Sequence, residues 1–134
     1  MASANLDLAE RAFDAFDRRD WDAFVALMDD DIEVESRLVA VEGGYRGHAG
    51  LRRWWDDFLG MFPDYAIEAL EKRAIGDAIV IRFQARGHGA ASDVPLVDPG
   101  WHASEWRAGR CVWFRVCATV EEALEAIAGR GGTA

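Results

Sequence analysis

A chain of 134 residues is long enough for one folded domain and too short for two ordinary ones. Apolar residues make up 51% of the chain and charged residues 29%, which excludes a disordered polymer and indicates a globular protein. The net charge of −9, without a Lys/Arg run longer than two, argues against nucleic acid as a partner.

The amino-terminal segment MASANLDLAE contains neither the basic nor the apolar region of a signal peptide. No apolar run in the chain approaches the roughly 20 residues of a membrane span. We therefore expect a cytoplasmic protein that has no membrane partner.

Two helices are predicted in the first part of the chain. Apolar residues at helical spacing predict a first helix over about residues 5–17, with Asn5 as its N-cap. Asp20 is the predicted N-cap of a second helix over about residues 21–28. The three acids at 29–31 are expected to end this helix, because negative charge at a helix C-terminus opposes the helix dipole.

A strand and a third helix follow, joined by a glycine-rich connection. The segment IEVESR, residues 32–37, alternates between apolar and polar positions and predicts a half-buried strand. Glu35 lies on its polar row and is a candidate for the rim of a cavity. The stretch VEGGYRGHAGLRRWWDDF then contains a turn and a helix predicted over about residues 49–59, with Trp55 and Phe58 on the apolar stripe.

Four sequential strands and a short helix are predicted for the rest of the chain. The segments YAIEALEKRAI and AIVIRFQARG form one hairpin, and WHASEWR and RCVWFRVC form another. Pro95 and Pro99 argue against regular central pairing in the loop between the hairpins. Thr119 and Glu122 form a capping box for a last helix, and residues 130–134 are expected to fray.

The predicted order of elements is α-α-β-α-β-β-β-β-α, within a single domain that spans residues 1–134. This order predicts an α+β fold, in which a curved antiparallel sheet packs against the three helices of the amino-terminal half and a short C-terminal helix follows. The chain contains no glycine-rich phosphate loop, and its three histidines lack the spacing of metal ligands. We therefore expect no metal and no cofactor. Cys111 and Cys117 lie about 20 Å apart on one predicted strand, so both are expected to be reduced.

Four segments in the same order resemble the SnoaL-like families of the NTF2-like superfamily, which includes polyketide cyclases and ketosteroid isomerases. The segments, within residues 5–129, are AERAFDAFDRRDWDAFVALMDDDIEVES, YRGHAGLRRWW, EWRAGRCVWFRV and EEALEAIAG. The resemblance implies a cone-shaped fold whose sheet wraps a pocket. It also implies that the pocket binds a hydrophobic small-molecule ligand and that the protein forms a homodimer through the sheet. It also implies a small lyase or isomerase that performs acid/base chemistry on a hydrophobic carbonyl compound. The alternatives are a non-catalytic ligand-binding protein and a dimerising accessory protein whose pocket is filled by its own side chains.

The terminal hairpin carries the candidate bases for such chemistry. Proton transfer beside a carbonyl needs a base in an apolar pocket and a hydrogen-bond donor for the enolate. Val112 and Phe114 should belong to the inner row of the last strand. A three-residue turn, which the resemblance favours, places His102 and Ser104 on that face, whereas a two-residue turn places Glu105 there. We therefore rank His102 above Glu105.

Further candidates lie around the third helix. His48 at the predicted helix start and Tyr45 in the preceding turn are candidate donors at the mouth of the cavity. The predicted catalytic residues are His102, Glu105 and His48. The predicted ligand contacts are Tyr45, Trp55, Phe58, Ser104, Phe114 and Glu35. Each of them also has a purely structural interpretation as a packing, capping or surface residue. The resembling cyclases carry an acid/base aspartate on a late strand, whereas no aspartate occurs between residues 101 and 117 here.

Overall fold

A computed structural model describes residues 2–35, 44–88 and 95–130, and side chains within 4–35, 44–87 and 100–130. The elements are α1 (Ala2–Asp17), α2 (Trp21–Val25), β1 (Met28–Glu35), β2 (Tyr45–Arg46), α3 (Gly47–Met61), β3 (Ala66–Ile75), β4 (Ala78–His88), β5 (Pro95–Arg107), β6 (Arg110–Cys117) and α4 (Val120–Gly129). The α+β prediction is confirmed, with the short β2 as an additional strand.

The sheet has the strand order β2-β1-β6-β5-β4-β3. All neighbouring strands are antiparallel except β1 and β6, which are parallel. The four sequential strands β3 to β6 are antiparallel as predicted, and the parallel pair adds β1 to them. A parallel pair requires a long connection, and here α3 and four strands lie between its two members.

Two hydrophobic clusters separate the faces of the sheet. The inner face packs against α1, α2 and α3, and carries the alternate residues Ile79, Ile81, Phe83 and Ala85 of β4, as their spacing predicts. The outer face packs against α4, whose Ala123 and Ile127 lie in one cluster with residues of β4, β5 and β6. The helix α4 thus covers the side of the sheet opposite to the other helices.

The terminal hairpin has a two-residue turn, so the expected three-residue turn is wrong. Ala108 and Gly109 have φ of 52° and 78°, the left-handed pair that a tight hairpin of matching twist requires. Trp106 pairs with Cys111, but the register then shifts and Glu105 pairs with Trp113. A β-bulge at Val112 absorbs the extra residue.

The bulge decides which side chains of the hairpin face inward. Ser104 pairs with Phe114, so both lie on the inner face, and His102 lies there too, two residues before Ser104. The predicted inward position of Val112 is wrong, because this side chain packs against the outer cluster. The same bulge separates the two free cysteines, with Cys111 in the inner cluster and Cys117 in the outer one.

The second helix is shorter than predicted because β1 takes over its last turn. Asp20 is the N-cap, as expected, and its side chain accepts a hydrogen bond from the backbone N–H of Ala23 at 3.1 Å. The helix ends at Val25, and the acids at 29–31 lie in β1 instead of ending a helix. The backbone carbonyl of Leu27 accepts a hydrogen bond from the N–H of Cys111 at 2.8 Å, which ties this segment to β6.

Two other predicted features differ from the structure, and a third cannot be compared with it. Asn5 lies inside α1 and is buried, so it is not the N-cap. Pro95 and Pro99 lie in β5, opposite His88 and Gln84 of β4. Among the described residues this part of β5 has β4 as its one strand neighbour, so a proline can lie there without breaking a ladder on its other side. Residues 36 and 37 of the predicted first strand lie outside the described residues.

Candidate functional site

A cavity of about 60 Å³ lies between the inner face of the sheet and the helices α1, α2 and α3. This is room for a few water molecules. Four of its lining residues are half-buried and mark its mouth, namely Phe13, Ile67, His102 and Val116. The buried lining residues are Ala9, Ala12, Phe16, Phe24, Met28, Trp54, Phe58, Tyr65, Phe83, Ser104, Trp106, Cys111 and Phe114.

Aromatic rings form most of the cavity wall. The indole of Trp54 stacks on Phe24 and Phe58, at centroid distances of 6.1 and 6.0 Å, and meets the edge of Phe114 at 5.2 Å. Asp, Glu, Lys and Arg are all absent from the lining formed by the described residues. The cavity therefore offers a flat, apolar environment in which a charged group would be poorly solvated.

His102 is the ionisable ring at the mouth of the cavity. Its ring centroid lies 5.0 Å from that of Phe13 and 5.2 Å from that of Phe114. The residue as a whole is half-buried, but its Nδ1 atom is shielded from solvent and has no hydrogen-bond partner. Burial lowers the pKa of His102 from 6.5 to about 4, because the imidazolium form loses its hydration. The ring is therefore neutral at neutral pH.

Ser104 and Cys111 are the other polar groups that line the cavity on the sheet side. The Ser104 hydroxyl accepts a hydrogen bond from Nε1 of Trp106 at 2.9 Å, so its own hydrogen is left to donate elsewhere. The Cys111 thiol donates to the backbone carbonyl of Trp113 at 3.3 Å. Burial raises the pKa of Cys111 to about 12, so this residue is a thiol and not a nucleophilic thiolate.

Glu105, the second candidate base, points away from the cavity. It lies on the outer face, where its Oε1 accepts a hydrogen bond from Nε of Arg130 at 2.6 Å and Arg107 pairs with the other oxygen. Burial alone would raise the pKa of Glu105, but the guanidinium groups of Arg130 and Arg107 hold it below its usual value. Arg130 is the first residue of the tail that is expected to fray, and residues 131–134 of that tail lie outside the described residues, so the fraying stays a prediction.

Tyr45 and His48, the expected donors, do not reach the cavity. Tyr45 is buried beside α3, and its hydroxyl donates to Oδ2 of Asp57 at 3.1 Å. Burial and the neighbouring carboxylate of Asp57 both raise the pKa of Tyr45. Nε2 of His48 donates to the backbone carbonyl of Met28 at 3.1 Å, so this side chain joins the start of α3 to β1.

The predicted ligand contacts divide between the cavity and other sites. Phe58, Ser104 and Phe114 line the cavity. Trp55 instead packs in the aromatic core, 5.2 Å from Trp21, and Glu35 accepts a hydrogen bond from Nε1 of Trp113 at 2.9 Å on the outer side of the sheet. Trp54 and Cys111 line the cavity as well, although neither is among the predicted ligand contacts. The helical stripe of α3 contained the signal for Trp54, whereas the bulge hides the inward direction of Cys111.

The low pKa of His102 predicts a dependence of stability on pH. As the pH falls below 6.5 the unfolded chain protonates this histidine first, and the folded chain follows only near pH 4. The difference corresponds to about 3 kcal/mol, which the partial exposure of the ring reduces to about 2 kcal/mol. Between about pH 7 and pH 4.5 the free energy of unfolding should therefore fall by about 2 kcal/mol more in wild type than in a His102→Leu variant, as measured by urea denaturation. An equal loss in both proteins would mean that the histidine is hydrated in the folded state.

The expected homodimer would use the outer face of the sheet, which α4 partly covers over β5 and β6. The edge strand β3 carries Leu70, whose exposure is 45%. The homodimer stays a prediction, as does the cytoplasmic location.

None of the helices in the described segments is both long and apolar enough to cross a membrane.

Residues 9–123 match the family model of the SnoaL-like domain. Among solved structures, the chain is similar to an NTF2-like protein of unknown function from Burkholderia pseudomallei K96243, with 17% identity, 91% of this chain and 95% of the other covered, and a TM-score of 0.78. The chain is also similar to a putative SnoaL-like polyketide cyclase from Jannaschia sp. CCS1, with 15% identity, 94% of this chain and 92% of the other covered, and a TM-score of 0.77.

A third similar structure is that of TerC, co-crystallised with polyporic acid, with 16% identity, 93% and 98% of the two chains covered and a TM-score of 0.77. No match is found among proteins of curated function. At these identities the structural likeness establishes the fold: the curved sheet and its helices have the NTF2-like arrangement.

Proposed function

Because this chain belongs to the family of SnoaL-like domains, we propose that its cavity binds a small uncharged carbonyl compound and that His102 acts on it as a general base. The observation that carries the proposal is the neutral imidazole of His102, whose Nδ1 is unpaired and shielded at the edge of an aromatic cavity. A neutral ring with a free nitrogen can accept a proton at neutral pH.

The reaction is a proton transfer within one substrate. Nδ1 of His102 removes a proton from the carbon beside the carbonyl, and the electron pair of that C–H bond moves to form the enolate. The Ser104 hydroxyl accepts a hydrogen bond from Trp106 and donates a hydrogen bond to the enolate oxygen, which stabilises its negative charge. The imidazolium then returns a proton to the same carbon. Where a C=C bond is conjugated with the enolate, the proton can instead go to the far carbon of that bond, and the substrate is isomerised. In both cases the protein is regenerated without a further reactant.

The low pKa of His102 restricts the substrate. An imidazole with a pKa of about 4 is a weak proton acceptor, and the rate of proton removal follows the strength of the base. The carbon that loses the proton must therefore be activated twice, by two carbonyl groups or by one carbonyl and an aromatic ring. Two similar structures support such a ligand, since one is a putative SnoaL-like polyketide cyclase and another was co-crystallised with polyporic acid.

The cavity has to widen to admit an organic ligand. Its volume of about 60 Å³ is smaller than the ~150 Å³ of an engineered cavity that binds benzene. Phe13 is the side chain best placed to move, because it is half-buried at the mouth and covers His102 edge-on. Rotation of this ring toward solvent would uncover the imidazole without disturbing the buried aromatic wall.

The proposal is tested by solvent exchange on 2-tetralone, an uncharged ketone whose C1 hydrogens lie between a carbonyl and an aromatic ring. We expect wild type to accelerate the replacement of these hydrogens by deuterium, followed by proton NMR in D₂O. His102→Gln should lower the acceleration about 100-fold, at the lower end of what a general base contributes because this base is weak.

The matched control is His48→Gln, which removes a histidine outside the cavity and should exchange 2-tetralone as wild type does. Exchange that is no faster than in buffer, or that is unchanged in His102→Gln, would refute the proposed base.

A second candidate function is binding without catalysis. It is favoured by the absence of a carboxylate from the lining formed by the described residues, which leaves one weak base in the cavity. In that case 2-tetralone would quench the tryptophan fluorescence and stabilise the fold against urea, while its hydrogens would exchange at the rate of the buffer.

A further inference from the structure

We infer that the indole N–H of Trp54 is a ligand-binding donor, and that the ligand of the cavity carries an uncharged hydrogen-bond acceptor, such as a ketone oxygen, that meets it. This inference rests on the proposed function in one respect, namely that the cavity holds a ligand. It adds a second donor to the site and names the group that the donor recognises.

The Trp54 N–H is a buried donor without an acceptor. The residue is 6% exposed, it lines the cavity, and its Nε1 has no hydrogen-bond partner. An indole nitrogen can only donate, and a buried donor left unpaired costs free energy comparable to a lost hydrogen bond. An acceptor supplied by a ligand would recover that free energy.

Two other buried indoles of the chain are satisfied by protein groups. Nε1 of Trp106 donates to the Ser104 hydroxyl at 2.9 Å, and Nε1 of Trp113 donates to Glu35 at 2.9 Å. Trp54 differs from these two, and its unpaired donor belongs to a residue of the cavity wall.

The Trp54 ring cannot turn to find an acceptor within the protein. Phe24 and Phe58 stack on it, at interplanar angles of 20° and 24°, while Phe16 and Phe114 approach at 5.5 and 5.2 Å. Rotation of the indole would break this packing, because interior side chains are held as closely as in a crystal. The donor is thus fixed in position before a ligand binds, and a preorganised donor favours affinity.

The acceptor has to be uncharged. The cavity lining that the described residues form contains no Lys or Arg, and His102 is neutral, so a carboxylate or phosphate would enter without a counter-charge. The carbonyl oxygen of a ketone satisfies both conditions, since it accepts a hydrogen bond and carries no net charge. Such an oxygen is also the atom on which negative charge develops in the proposed reaction.

Three probes of nearly equal shape separate these requirements: acetophenone has the carbonyl oxygen, ethylbenzene lacks it, and benzoate carries a charge. Binding is measured by nuclear magnetic resonance on ¹⁵N-labelled protein, where each indole N–H gives its own signal. We expect acetophenone to bind about 10-fold tighter than either of the others, a factor typical of one hydrogen bond. The Trp54 N–H signal should move with acetophenone and not with ethylbenzene.

Trp54→Phe tests the donor and keeps an aromatic ring in place. The variant should lose most of the preference for acetophenone, with the affinity for ethylbenzene close to that of wild type. Trp21→Phe is the matched control, because Trp21 belongs to the aromatic core but does not line the cavity. This control should retain the preference for acetophenone.

Several results would overturn the inference. They are an equal affinity of wild type for acetophenone and ethylbenzene, a preference that is undiminished in Trp54→Phe, benzoate binding as tight as that of acetophenone, and failure of all three probes to bind. Failure of the proposed function looks different: acetophenone would bind through Trp54, but 2-tetralone would exchange at the buffer rate. Conversely, exchange that depends on His102 without any role of Trp54 in binding would leave the proposed function intact.

Discussion

Replacement of Phe16 by alanine is expected to lower the free energy of unfolding by about 4 kcal/mol, the middle of the range for a large aromatic residue removed from a core. Phe16 lies in α1, is 5% exposed, and contacts five aromatic rings at centroid distances of 5.3 to 6.1 Å. Those rings belong to Phe24, Trp54, Trp55, Phe58 and Tyr65. The side chain therefore joins α1 to α2, α3 and the segment that leads into β3.

The cost should not fall to the lower end of this range, because the site cannot collapse. Each aromatic pair contributes about 0.5–1.5 kcal/mol beyond the burial of its area. The neighbouring rings are rigid and cannot change shape to fill the space that Phe16 leaves. Phe16 also borders the existing cavity, so its loss would enlarge an empty volume instead of closing it.

Urea denaturation at neutral pH, followed by tryptophan fluorescence and circular dichroism, measures this prediction. Leu70→Ala is the control, because Leu70 is 45% exposed on the edge strand and its truncation should change the unfolding free energy by less than about 0.5 kcal/mol. A loss of less than about 2 kcal/mol for Phe16→Ala would mean that the neighbouring rings repack around the alanine.

The buried faces of helices and strands could be predicted from the sequence, because apolar residues recur there with the period of the helix or of the strand. The spacing of Ala9, Ala12 and Phe16 in α1 and of Ile79 and Ile81 in β4 indicates the buried face in each case, and the structure confirms it. Such patterns depend on one element and on the existence of a core, not on the identity of its neighbour.

The features that could not be predicted depend on a partner strand. Met28 lies in a strand and not in the predicted helix, because it pairs with Cys111 of β6. Pro95 is tolerated in β5 because only β4 pairs with it there. The bulge at Val112 shifts the register by one residue, which no local pattern of apolar residues announces.

The candidate site shows the same division. The preference for His102 over Glu105 relied on a turn length that is wrong, and the bulge restored the direction that the turn would have changed. Tyr45 and His48 lie near each other in the sequence, but their directions depend on Asp57 and on the carbonyl of Met28, which sequence spacing does not reveal. Trp54 and Trp55 share one helical stripe, and only the packed helix shows which of them borders the cavity.

On the outer face, Arg130→Ala is expected to lower the free energy of unfolding by about 3 kcal/mol, because it leaves the carboxylate of Glu105 buried with one partner fewer. The Glu105 side chain is 6% exposed, and its main partner is Nε of Arg130 at 2.6 Å. The Arg130 guanidinium also lies 4.8 Å from the ring centroid of Trp113, so one side chain joins the end of α4 to the sheet. Arg107, which would remain, is 55% exposed and is more easily separated from the carboxylate by water.

The direction of the pH dependence separates this mechanism from a simple loss of packing. In wild type the pKa of Glu105 lies below its unfolded value of 4.5, so the ion pair contributes stability above that pH and loses it as the pH falls. The deficit of Arg130→Ala should therefore be full at about pH 7 and shrink toward pH 4 in urea titrations.

A double variant, Glu105→Leu with Arg130→Met, should recover most of the loss at neutral pH, because apolar residues can replace a buried ion pair at little cost when both partners leave together. If Arg130→Ala instead costs the same at both pH values and the double variant is no more stable, Arg130 acts through its contact with Trp113 and not through its charge. In that case the buried carboxylate would have to be stabilised by Arg107.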